Sequence, residues 1–78
     1  MITAEKLREL TTYTPAALTR IVQQSGYKRD KVNEARFIGM TNANQFCYSV
    51  DYDDFGTPSV TKLFVKFDPT TGRVTADY

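Results

Sequence analysis

Seventy-eight residues with a mass of 8.9 kDa are material for one small domain, spanning residues 1–78. Apolar residues make up 41% of the chain and charged residues 24%, and ten Lys/Arg against nine Asp/Glu leave a net charge of +1. That balance excludes a polyanion binder driven by bulk charge and an acidic solvating tail.

No apolar run nears the roughly 20 residues of a membrane span. The opening residues turn charged at Glu5 and Lys6 and hold no apolar export core. A lone Cys47 and the lack of histidine point to a reducing, cytoplasmic setting and away from a His/Cys metal site.

The first third predicts two helices. Thr3 can cap the first, with Ile2 before it and Leu7 at staple spacing, and Leu7 and Leu10 form a short apolar stripe. Thr11 and Thr12 weaken that helix. The second starts at Thr14-Pro15, where a hydroxyl can accept from free backbone N–H groups and proline's missing donor is harmless. Tyr13 and Leu18 repeat the staple spacing. Leu18, Ile21 and Val22 make one apolar face, with Thr19, Arg20, Gln23 and Gln24 opposite. Gly26 closes the helix in a left-handed conformation and turns Tyr27 back toward Val22.

Residues 27–33 read equally as a loop or as one more helical turn. After Glu34 the period becomes two. A strand is expected over 35–41, with Phe37 on one parity and Ile38 and Met40 on the other, so its inward side is undecided. Asn42-Ala43-Asn44 is a turn. Over 45–53, Phe46, Tyr48, Val50 and Tyr52 point one way and Cys47, Ser49, Asp51 and Asp53 the other.

Residues 54–59 read as a loop. Residues 60–67 alternate Leu63, Val65 and Phe67 against Lys62, Phe64 and Lys66. Asp68-Pro69-Thr70-Thr71-Gly72 is a turn, and 73–78 a last short strand. The expected fold is α+β: two N-terminal helices packed on one face of a four-stranded antiparallel meander sheet. The second helix covers Phe46, Tyr48, Val50, Tyr52, Leu63, Val65, Phe67, Val74 and Ala76.

Catalysis finds little support. There is no histidine for acid–base work, and Cys47 has only Tyr48 and Ser49 beside it in the strand. Asp51, Asp53 and Asp54 open like a calcium loop, but the third ligand position holds Phe55 and the closing acid position Lys62. Asp51 and Asp53 are better read as cross-strand partners of Lys62 and Lys66. The four glycines are scattered singly, so there is no phosphate loop. The expectation is no enzyme, no metal and no cofactor.

Two binding readings remain. A chain too small for a cleft acts through its surface, and Phe55, Phe64 and Tyr78 beside Asp51, Asp53 and Asp54 resemble aromatic anchors with a polar rim. This favours a stoichiometric protein-binding module: an inhibitor, adaptor or accessory factor, of the kind phages and other mobile elements carry. A bare last strand adds the expectation of a homodimer through a sheet edge. The alternative is nucleic-acid binding. Residues 1–40 carry a charge of +3 and residues 41–78 a charge of −2. Arg20, Gln23, Gln24, Lys28, Arg29 and Lys31 could form a basic patch at the end of the second helix, with Arg36 nearby. Against it stand a short first helix, the lack of a third, and the lack of an RNA-recognition signature on the aromatic strand.

Overall fold

A computed structural model describes residues 2–42, 44–54 and 56–78, with Asp54 described by its backbone alone. It contains α1 (Ala4–Thr11), α2 (Pro15–Gln24), β1 (Lys31–Met40), β2 (Phe46–Asp54), β3 (Thr57–Asp68) and β4 (Arg73–Asp77). The strands form one antiparallel sheet in the order β1-β2-β3-β4, and both helices lie against one face of it. The fold is the expected α+β meander. Among the described residues no helix is long and apolar enough to cross a membrane.

The helix ends follow from local chemistry. Thr3 Oγ1 accepts from the Lys6 N–H at 3.1 Å, and Thr14 Oγ1 accepts from the Ala17 N–H at 3.2 Å, with Pro15 next in line. At the other end of α2, Gly26 has φ +112°. The Tyr27 N–H donates to the Val22 carbonyl and the Gly26 N–H to the Gln23 carbonyl, the paired bonds of a Schellman close. Leu7 differs from expectation: it stays exposed beside exposed Ile2, and from α1 only Leu10 enters the core.

Leu18 and Val22 of α2 are buried with Leu10, Val32, Phe46, Tyr48, Val50, Leu63, Val65 and Ala76; Tyr52, Phe67 and Val74 are half-buried at the margins. The helix rests against both edge strands, β1 and β4, so the sheet curls around it. Two hydroxyls of the α2 segment fasten those edges. Thr19 Oγ1 accepts from the Val32 N–H at 2.9 Å, and Ser25 Oγ accepts from the Ala76 N–H at 3.0 Å. Thr19 therefore faces the sheet rather than solvent. Each edge also has one backbone donor already taken, which lowers its capacity to pair with another strand.

Residues 27–30 form a turn closed by the Asp30 N–H on the Tyr27 carbonyl at 3.2 Å, and β1 starts at Lys31, four residues before the expected strand. The register of β1 against β2 shifts between Val32 and Glu34 and again between Phe37 and Gly39, at bulges centred on Asn33 and Ile38. Val32, Ala35, Phe37 and Met40 consequently share the helix side. Phe37 meets Tyr48 edge-on at 5.4 Å, while Ile38 stays exposed. At the far end of β1, Asn44 takes the left-handed turn conformation.

The expected 54–59 loop is a tight hairpin: Asp54 pairs with Thr57, and Pro58 lies within β3 opposite Asp53. Proline is tolerated there because β4 pairs only with residues 64–68, which leaves the start of β3 as an edge.

Candidate functional site

The face of the sheet turned away from the helices is the first candidate, and register decides what it presents. Cross-strand partners form rows. Lys31, Asp53 and Pro58 make one; Glu34, Asp51 and Val60 the next; Arg36, Ser49 and Lys62 a third; Gly39, Cys47, Phe64 and Asp77 a fourth. In the second row two exposed carboxylates stand directly opposite each other, an arrangement that destabilises a sheet. Beside them Val60 is 74% exposed. A shallow hollow of about 300 Å³ is bounded by Glu34, Arg36, Ser49 and Asp51.

Asp51 and Asp53 thus face Val60 and Pro58 on β3, not Lys62 and Lys66 as expected, and the Lys partner of Asp53 is Lys31 on β1. Among the described residues the only recorded ion pair is Lys6 with Glu9 in α1, at 3.1 Å. Phe64 is half-buried, and its partner Cys47 is buried although no helix covers that face. Cys47 stands between Gly39 and Phe64 in its row. Asp51, Asp53 and Phe64 share this face.

Tyr78 does not share it. It packs against the core on the helix side, where its ring stacks on Tyr52 (centroids 5.0 Å apart) and meets Tyr27 edge-on (4.8 Å). Phe55 lies outside the described residues, as does the side chain of Asp54.

The three tyrosines border a second candidate, a hollow of about 470 Å³ that Lys28, Arg29 and Asp30 help to line. The Schellman turn after α2 brings residues 26–30 over the end of the sheet, and Gln23 Nε2 holds the turn by donating to the Asp30 carbonyl at 3.2 Å. Asp30 is buried, at 9% exposure, and has no salt-bridge partner among the described residues. The Tyr27 hydroxyl donates to the Asp77 carboxylate, which raises the phenol's pKa. The Tyr78 hydroxyl is buried without a well-formed hydrogen bond. Burial above all, then the adjacent Asp30 carboxylate, raises its pKa strongly.

The residues of the basic alternative are divided between places. Arg20 and Gln24 line a groove of about 570 Å³ with Glu9, Tyr13 and Arg73, between the helices and β4. Gln23 is engaged with Asp30, Lys28 and Arg29 border the tyrosine hollow, and Lys31 opens edge strand β1.

Glu34 and Val60 were missed in the sequence, because their places depend on register: the pairing of Asp54 with Thr57 sets Val60 opposite Asp51, and the bulge at Asn33 sets Glu34 there. The tyrosine hollow had no local signal, because Tyr27, Tyr52 and Tyr78 meet only through tertiary packing. No protein-family model, no curated protein and no solved structure matches this chain.

Proposed function

We propose that this chain is a non-enzymatic protein-binding module that works stoichiometrically through the helix-free face of its sheet. The observation that carries this reading is the row Glu34–Asp51–Val60: two carboxylates opposite each other and a bare valine beside them on the helix-free face, with no ion pair to either carboxylate among the described residues. Such a row is unfavourable in the free protein and becomes favourable when a partner brings a cation and an apolar group to it. Asp53 and Phe64 extend the surface on either side, with Lys62 and Arg36 supplying a cationic flank.

A sheet face with only a shallow hollow offers a partner a broad contact surface rather than a deep cleft for a substrate, which favours an inhibitor, adaptor or accessory factor over a catalyst. A cytoplasmic setting fits the unpaired Cys47. The reading is tested with Asp51→Lys combined with Val60→Lys, both at exposed positions that leave the core intact. Immobilised native protein should retain a specific partner from cell extract, and the double variant should lose it while keeping its circular dichroism and melting temperature. An identical set of bound proteins on the two resins would overturn it. A second copy as the partner would appear as a concentration-dependent dimer that the same variant abolishes.

A further inference from the structure

On the opposite side of the sheet we infer that the hollow bordered by Tyr27, Tyr52, Tyr78, Lys28 and Asp30 binds the base of a guanine nucleotide. The volume of about 470 Å³ falls within the range of small-ligand sites. Three tyrosine rings already in contact at centroid distances of 5.0 and 4.8 Å make an aromatic wall that one more planar ring can extend.

One buried polar group there lacks a well-formed hydrogen bond, the Tyr78 hydroxyl, and the group adjacent to it is the Asp30 carboxylate, which forms no salt bridge among the described residues. A ring that served only to plug the end of the core would leave its hydroxyl desolvated for no return. A ligand donor that reaches the Asp30 carboxylate at this point would share it with the Tyr78 hydroxyl.

The arrangement of charge narrows the ligand. Asp30 lines the hollow from a buried position in the chain and Lys28 from an exposed one, so the ligand carries N–H donors at its inner end and an anion at its outer end. A simple ammonium satisfies Asp30 but is repelled by Lys28. A nucleotide fits both, with its base inside and its phosphate against Lys28. Among the bases guanine alone presents two adjacent donors, N1–H and N2–H, which match the two oxygens of one carboxylate. Adenine and cytosine place a ring-nitrogen acceptor beside their amino group, and uracil flanks its N–H with carbonyls, so each opposes the carboxylate.

The test is a titration of the full chain at low salt with GMP, AMP and a short single-stranded oligouridylate carrying one guanine, followed by the tyrosine ring resonances. GMP should shift the rings of Tyr27, Tyr52 and Tyr78 saturably below millimolar concentration, with AMP at least about tenfold weaker. Asp30→Asn should erase that preference. Lys28→Glu, at an exposed position where folding is not at stake, should weaken both nucleotides by about threefold while keeping guanine ahead. Tighter binding of the oligonucleotide than of GMP assigns the base to a strand; equal or weaker binding assigns it to a free nucleotide. No saturable shift with GMP, or AMP binding as tightly as GMP, overturns the inference.

Discussion

The Tyr48 hydroxyl donates to the Leu10 carbonyl at 2.5 Å, so a side chain in the middle of the sheet ties down the last turn of α1. The same oxygen accepts from the Tyr13 N–H at 3.2 Å, which fixes the joint between the two helices. Tyr48→Phe keeps the ring and removes both bonds, leaving two backbone groups to seek new partners near the core. A loss of about 1–3 kcal/mol is expected in urea unfolding. Amide exchange at Tyr13 should quicken while the amides of β2 and β3 keep their order of protection. A variant as stable as the native protein would show that water replaces the phenol at no loss.

The two hydroxyl fasteners of α2 make a separable pair. Thr19→Val conserves shape yet strands the Val32 N–H, and Ser25→Ala strands the Ala76 N–H. Each is expected to lower stability by about 1–2 kcal/mol. The more telling readout is local: exchange at Val32 rises only in the first variant, and at Ala76 only in the second. Both substitutions also free an edge donor, so the double variant should aggregate more readily on mild heating.

Alkali should unfold this protein from the tyrosines. Burial first, and then the Glu9 carboxylate, push Tyr13 up to about 12, and burial also raises Tyr48 and Tyr78. The folded state therefore keeps phenolic protons that the unfolded chain gives up near 10. Stability is fully present below the unfolded value and is lost as pH rises through it toward the folded one. The urea midpoint should be flat through neutral pH and fall between pH 10 and about 12. Tyr48→Phe should make that fall shallower. A midpoint indifferent to pH in this range would contradict the burial of these hydroxyls.

How far the fold was legible depends on how local its causes are. The ends of α2 could be read because Thr14, Pro15 and Gly26 act on backbone groups within a few residues. Strand β2 could be read because one face is buried along most of its length and the period of two is unbroken. Strand β1 could not. Its bulges at Asn33 and Ile38 space the inward residues Val32, Ala35, Phe37 and Met40 irregularly, so neither parity fits the whole strand. Pro58 misled for a related reason: proline reads as a breaker unless one knows that β4 stops short of it. The surface rows depend on register, and register is the sum of those irregularities. Asp51, Asp53 and Phe64 could be nominated individually, but their neighbours Glu34 and Val60 could not.

Gly39 is where that irregularity can be tested. It follows the Ile38 bulge with φ +138°, a conformation that L side chains rarely adopt, and a methyl group added there would meet no atom within 4 Å. Any cost of Gly39→Ala is therefore backbone strain rather than crowding, and about 1–3 kcal/mol is expected. The relaxed alternative straightens the strand, which would carry Ile38 and Met40 out of their present places and move Phe37 off Tyr48. The ring resonances of Phe37 and Tyr48 should accordingly shift in the variant, while those of Tyr52 and Tyr78 at the far end of the sheet hold still. If Gly39→Ala were neutral and left the Phe37 ring unmoved, the second bulge would not be what sets the inward face of β1.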